Sequence, residues 1–492
     1  MPEPLRLRQT LAALLVLSLF SPRPALADET EDASVQQLAE QMKQMREQMA
    51  EMQRQMDQMK KLAPVPEPAA ADTAGQGEPF SFADWGWLNG NTRQKEYPLD
   101  GKIFSGEFSV DANYTYSFAR PKDHSLVGST TSGRTSELQL ADLGVGGDFH
   151  WQNLRGRFMT QFGLYSTMTP RNDSSTGRGQ WDLADAYRYI SEAYGGYHFN
   201  ALHGINFDVG IFASYIGLCS YYDFENWVYQ ESYVSANTPF FFNGARLQMF
   251  PTDRFKIEVW LVNGWQSYGM FNEMPGFGAQ FLWRPVEYFS FVTNEYVGED
   301  TLNNAKRIRI HDDTSVQLKY YDHPKGVFSK AAFSLTVDAG CETGGGVSCD
   351  GVGAPAQYFV GFMFYNRFWF LNDLFGLTLG GGAINNPGRY LVLVPPINGA
   401  TAISGTPYFT ANPGDKFLAW DCSVTADYMI NQFFTFRGEF VHRWASVPYF
   451  AGPGGITPQG GNQGLAGSTV AGFTPDLRHE ENRFQLVIMA RL

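Results

Sequence analysis

The stretch Phe104-Ser-Gly-Glu-Phe-Ser-Val-Asp-Ala-Asn-Tyr-Thr-Tyr-Ser-Phe118 puts an apolar residue or glycine at every even position and a polar or acidic one at every odd position. In extended chain, successive side chains point to opposite faces, so this is a strand with one oily side and one wet side. A half-buried strand of a soluble sheet reads the same way over a shorter span. This apolar row is longer and ends in tyrosines, and a tilted membrane crossing needs only about 9 to 11 residues.

The pattern recurs along the chain. Leu154, Gly156, Phe158, Thr160, Phe162 and Leu164 alternate with Arg155, Arg157, Met159 and Gln161, and Tyr187, Tyr189, Ala193, Tyr197 and Phe199 with Arg188, Glu192 and His198. Leu418, Trp420, Cys422, Val424, Ala426 and Tyr428 alternate with Asp421, Ser423, Thr425 and Asp427. Phe484, Leu486, Ile488, Ala490 and Leu492 alternate with Arg483, Gln485 and Arg491. A soluble sandwich rarely sets arginines opposite such aromatic rows.

Composition argues the same way. Hydrophobic residues make up 43% of the chain, mean hydropathy is −0.27, and after the amino-terminal stretch no run of about 20 apolar residues exists to make a spanning helix. Backbone polar groups cannot go unsatisfied in lipid, so a chain that spans by strands must close into a barrel. The 15% aromatic content and 51 glycines suit interfacial girdles and tight turns. The expected fold is therefore an all-β transmembrane barrel of about 16 antiparallel strands, preceded by an α-helical coiled coil.

Four segments are expected: a signal peptide over 1–27, a coiled coil over 28–62, a Pro/Ala-rich linker and barrel entry over 63–100, and the barrel over 101–492. Arg6 and Arg8 precede the apolar stretch Leu11 to Phe20, and Ala25-Leu-Ala27 offers a cleavage site. Val35, Leu38, Met42, Met45, Met49, Met52, Met56 and Met59 then fall at spacings of three and four, the a and d seam of a self-associating coil. The linker cannot pack a core, which leaves the coil in the periplasm. For Phe80 to Leu99, with Trp85 and Trp87, three placements stay open: lining the barrel entrance, plugging it, or adding a strand.

Connections alternate in length. Long ones fall near 119–135, 166–184, 217–238, 267–275, 299–306, 340–355, 384–415 and 446–480. Short ones fall near 150–153, 200–203, 251–253, 285–287, 322–327, 369–374 and 430–432. With both termini in the periplasm, all long connections lie outside the cell. Such a barrel encloses an aqueous lumen. Parity lines it with Arg155, Arg157, Arg188, Arg246, Lys256, Arg307, Arg309, Lys319, Arg367, Arg437 and Arg443, against Glu107, Asp111, Glu192, Asp208, Glu258, Asp338, Asp421, Asp427 and Glu439. These charges either face water or pair across strands. The chain's net charge of −13 accordingly sits mostly in loops and the amino-terminal region. The third long connection, with Asp223, Glu225, Trp227 and Glu231, has the length and polarity to fold inward as a constriction facing basic wall residues. An external tyrosine-rich loop is the plainer alternative.

The stretches Val209-Gly-Ile-Phe-Ala-Ser-Tyr-Ile-Gly217, Glu225-Asn-Trp-Val-Tyr-Gln-Glu-Ser232, Pro239-Phe-Phe-Phe-Asn-Gly-Ala245 and Leu261-Val-Asn-Gly-Trp265 resemble the OmpL-like β-barrel porin family. The resemblance is clearest over roughly residues 190 to 300. It implies an outer-membrane channel without naming a substrate. The methionine-rich coil is not general to that family, and Leu492 stands where assembly signals usually carry Phe. Porin barrels commonly trimerise, so the expected partners are outer-membrane lipid, two further copies joined through coil and barrel, and small solutes or ions.

Cys341 and Cys349 bracket a glycine-rich run and are expected to form a small disulfide ring in an oxidising compartment. Cys219 and Cys422 are expected to stay unpaired. No Gly-x-Ser-x-Gly elbow or helical histidine pair with a glutamate appears, so an enzyme is not expected, and no cofactor or metal is called for. Nucleic acid is excluded by the absence of a basic tail and a pI near 5.1. The expected function is passive diffusion through a water-filled pore. The alternative is a structural sleeve or tether that holds a partner protein or links to the periplasm.

Overall fold

The computed structural model describes residues 40, 43, 44, 46, 47, 50, 51 and 54, then 77–387 apart from 123, 127, 130, 171, 172, 174, 176–178, 271, 302 and 303, and then 390, 416–453 and 476–492. The described residues among 40–54 are helical and exposed. The methionine seam and the signal segment lie outside the described residues.

From Phe104 onward the alternating stretches form β1 (Phe104–Ser117), β2 (Leu138–Trp151), β3 (Leu154–Thr160), β4 (Ile190–Phe199), β5 (Ile205–Ala213), β6 (Phe241–Thr252), β7 (Phe255–Val262) and β8 (Gly276–Val286). There follow β9 (Phe289–Gly298), β10 (Ile308–Asp322), β11 (Phe328–Thr343), β12 (Tyr358–Phe370), β13 (Phe375–Asn385), β14 (Leu418–Asn431) and β15 (Phe434–Ala445). The last are β16 (Phe450–Ala451), β17 (Leu477–Arg478) and β18 (Glu480–Arg491). All but β16 and β17 pair in chain order around a closed barrel, which shuts where β1 meets β18 antiparallel, from Ser109 opposite Arg491 to Ser117 opposite Arg483. Closure leaves no sheet edge. The short β16–β17 pair lies within the last long connection, where the sequence suggested only loop.

The faces follow the alternation. On β14 Trp420, Val424 and Tyr428 are exposed outward while Asp421, Ser423, Thr425 and Asp427 are buried inward. On β18 Phe484, Leu486 and Ile488 point out and Arg483, Gln485 and Arg491 in. β-Bulges break the alternation at Asp111/Ala112 and Met159/Thr160. Two short helices, α1 (Tyr165–Met168) and α2 (Leu183–Tyr187), occupy the connection between β3 and β4.

The long and short connections segregate to opposite ends of the barrel. The glycine-rich β13, hard to read as a strand, is glycine-rich for want of space. A Cβ on Gly382 would lie 2.4 Å from the Ser232 hydroxyl, and one on Gly361 of β12 would lie 2.9 Å from Val234. Both neighbours belong to the β5–β6 connection, which occupies the lumen.

Candidate functional site

The β5–β6 connection, loop 3 below, turns into the barrel and crosses it. Trp227, Val228, Tyr229, Tyr233 and Val234 are all at most 3% exposed. It is held in part by its own backbone. Glu439 on β15 accepts the Tyr229 amide at 2.7 Å and the Gln230 amide at 2.6 Å. Asp421 on β14 accepts the Tyr233 amide and the Ser232 hydroxyl, each at 2.9 Å. Arg437 donates to the Asn226 carbonyl at 2.6 Å and Arg367 to the Trp227 carbonyl at 3.3 Å. The wall thus supplies carboxylates to loop amides and guanidiniums to loop carbonyls, matched pairs of the stronger, charge-assisted kind.

The acidic residues of loop 3 divide. Glu225 pairs with Arg491. Asp223 instead accepts the Tyr165 hydroxyl at 2.7 Å and the Asn226 amide at 3.2 Å, and Glu231 accepts from Ser235 at 2.8 Å and Asn226 at 3.1 Å. Burial, aided by the charges of Asp111 and Glu231, pushes the Asp223 carboxyl well above its ordinary value. Burial likewise pushes the Glu231 carboxyl up to about 7, against hydrogen bonds from Ser235 and Cys219. The expected face-to-face meeting with basic wall residues is therefore made by Glu225, while Asp223 and Glu231 turn to neutral donors.

A second layer lies beneath the loop. Residues 78–97 cross the short-turn end: the Phe80 amide bonds the Asp253 carbonyl at 2.7 Å, Trp87 donates to the Glu287 carbonyl at 3.2 Å, and Arg93 donates to the Asn431 and Phe434 carbonyls. Phe80 and Trp85 pack on Arg284, and Trp87 on Lys319. The two layers touch, because the Asn89 side chain accepts the Trp227 amide at 2.8 Å and the Gly90 amide meets the Glu225 carbonyl. Of the three placements left open for this segment, the added strand is not the one taken: residues 78–97 carry no strand and lie across the short-turn end, with Trp87 and Leu88 at 2% and 1% exposure.

Most wall charges anticipated by parity do point inward, in mutual contact. Arg157 bonds Glu107, Asp148 and Glu192 at 2.9, 2.9 and 2.8 Å, and Arg155 and Arg246 share Asp208. Asp427 joins Arg367 to Arg437 at 2.7 and 2.6 Å. Arg309 pairs with Glu342 at 3.1 Å between the rings of Trp265 and Tyr390, and Lys319 pairs with Asp322 at 2.5 Å. Of the two expectations, pairing describes this wall better than facing water, since Arg309, Arg437 and Glu439 are buried. Two assignments need correction. Arg188 precedes β4 in a connection, paired with Asp185, because it caps the C-terminus of α2 and the strand begins only at Ile190. Arg307 sits one residue before β10, bonded to the Gly345 carbonyl at the long-loop end.

Sequence reading passed over Arg483, which donates to Gln230 of the loop at 2.9 Å, and Arg491 as loop anchors. Both were visible as inward basic residues of the last strand. Cys341, on β11, and Cys349 are joined by a disulfide with Cα atoms 5.1 Å apart. Cys219 and Cys422 are free.

A family model described as putative beta-barrel porin-2, OmpL-like, matches residues 104–473. Among solved structures the chain is similar to an anion-selective porin from Comamonas acidovorans, at 10% identity and a TM-score of 0.46 over 79% of this chain and 99% of that one. It is similar to OmpT, an outer membrane protein of Vibrio cholerae, at 9% identity and a TM-score of 0.44 over 80% and 99%. The outer membrane channel DcaP of Acinetobacter baumannii matches at 12% identity and a TM-score of 0.43 over 80% and 96%. No curated protein matches.

Proposed function

The chain belongs to the putative beta-barrel porin-2, OmpL-like family, and from that premise we propose that this outer-membrane porin passes small hydrophilic solutes or ions by passive diffusion, with loop 3 as its constriction. The observation that carries the reading is the loop's course through the lumen, latched on Glu439 and Asp421. A pore that only needed a wall would have no use for an internal segment mounted on buried carboxylates. Candidate determinants of passage are Asp223, Glu225, Trp227 and Glu231 on the loop. On the wall they are Arg155, Arg157, Glu192, Arg309, Lys319, Arg437 and Glu439, with Arg188 and Arg307 at the long-loop end. The protein works as a homotrimer, its coil in the periplasm after removal of residues 1–27.

Single-channel recording of the mature protein in a planar bilayer under a salt gradient tests this. Conductance steps in multiples of three are expected, with a reversal potential that moves when Glu225 or Arg157 is neutralised. The burial of Trp87 and Leu88 across the mouth favours a second reading, a sealed sleeve or tether. A folded but silent barrel that stays silent after deletion of residues 78–97 would replace the first reading by the second.

A further inference from the structure

The two layers inside the barrel meet at one turn. Asn89, buried, binds three parties at once: its amide donates to Gln317 Oε1 of β10 at 2.8 Å, its Oδ1 accepts the Trp227 amide at 2.8 Å, and its Nδ2 reaches the Cys219 sulfur at 3.8 Å. Gly90 follows with a φ of 74°, and its amide donates to the Glu225 carbonyl at 3.2 Å. A Cβ at Gly90 would overlap the Leu218 carbonyl oxygen. The turn is seated so closely in the main chain of loop 3 that only glycine fits.

Further contacts join the layers on either side of that turn. Trp85, Trp87 and Leu88 of the segment belong to one buried apolar cluster with Trp227 and Val228 of the loop. The Arg93 guanidinium lies 4.2 Å from the centre of the Phe224 ring. The segment's outer ties are thinner: the Lys95 and Glu96 amides share Gln432 Oε1 at 2.6 and 3.2 Å, and Lys95 pairs with Asp84 where both side chains are more than half exposed. Exposed pairs of this kind hold weakly. Because residues 78–97 carry no strand, their departure costs the closed barrel no ladder hydrogen bond.

A loop 3 deprived of the segment loses the acceptor of the Trp227 amide, the donor to the Glu225 carbonyl and the cation over Phe224 in one step. Buried groups left unmatched are costly, so the stretch from Phe224 to Val228 must then rearrange. We propose that residues 78–97 and loop 3 form one gate, coupled through the Asn89–Gly90 turn: the segment locks the constriction, and its withdrawal frees the loop so that both layers open together. This rests on the reading of loop 3 as the constriction, and it makes the segment an autoinhibitory latch on that loop rather than a separate stopper. Coupling is reciprocal, so whatever loosens the loop also loosens the segment.

The test is hydrogen exchange of the full chain in detergent, read by mass spectrometry on peptides from 78–97, from 218–234 and from the barrel strands. Asn89→Ala, which strips the Trp227 amide of its acceptor, should speed exchange about tenfold in both 78–97 and 218–234 and leave the strands unchanged. Glu439→Ala supplies the converse: Glu439 bonds loop 3 and Thr425, yet residues 78–97 should exchange faster by a similar factor. Asn89→Cys, made with Cys422→Ser and oxidised onto Cys219, should slow exchange in both layers and keep the pore shut until it is reduced; it decides the matter if the other variants do not fold. Faster exchange confined to the layer that carries the substitution overturns the proposal, as does a crosslinked barrel that conducts as freely as its reduced form. Coupled exchange in a barrel silent throughout supports the coupling and removes the porin reading, whereas uncoupled exchange in a conducting barrel does the reverse.

Discussion

Glu439 does for loop 3 what a cap does for a helix: one carboxylate accepts two neighbouring backbone amides. Hydrogen bonds to charged groups contribute about 1.5–3 kcal/mol each, so Glu439→Ala should loosen the docked loop by roughly 3 kcal/mol or more. Noisier and larger single-channel currents are expected, with an unchanged folded band on unheated gels; currents identical to wild type would show that the loop needs no such anchor. Glu231 adds a pH dependence. Its carboxyl is raised to about 7 by burial when docked, against an ordinary glutamate value near 4.5 when the loop is free. Docking is therefore favoured most below the ordinary value and weakens as pH rises through about 7. Open-state noise should grow between acidic and alkaline recordings, and Glu231→Gln should flatten that trend. Parity in the sequence found Glu439 as an inward charge, but its partners lie 210 and 209 residues away, a distance no local pattern reports.

Strands were the legible elements, because alternation is a property of adjacent residues and needs no knowledge of the partner strand. The long and short connections were legible for the same reason. Two kinds of element were not. The glycines of β13 weaken any alternation, and their cause is crowding from distant residues: Ser232 of the loop against Gly382, and the neighbouring strands against Gly376, Gly380 and Gly381. Residues 78–97 form no strand, so nothing periodic marks them. What places them is contact with distant turns, such as Trp87 with Glu287, 200 residues on. If this segment restricts the mouth, its deletion should raise conductance several-fold in the bilayer while leaving the barrel folded. Trp87→Ala, which empties a buried aromatic site of a kind that typically costs about 3–5 kcal/mol, should do so in part. Unchanged conductance in both would mean that ions pass beside the segment rather than through the space it fills.

At the scale of the molecule, closure of β1 on β18 makes the barrel self-sufficient. Removal of residues 28–62 should therefore leave the heat-modifiable barrel intact and lower only its oligomeric state, read by native light scattering in detergent; loss of the folded band would assign the coil a role in folding itself. Cys422, exposed on the outer face of β14, should resist a charged maleimide in proteoliposomes and react once the protein is denatured. The manner in which loop 3 is moored has a longer reach. Because wall residues such as Glu439 and Arg437 grip main-chain atoms, which every amino acid carries, those latches survive a change of loop side chain, whereas the anchors made by Glu225, Tyr229 and Gln230 do not. If loop 3 is the constriction proposed, a lineage or an engineer could exchange its unanchored positions while that socket stays constant, and one barrel design could then acquire new permeants through a single segment.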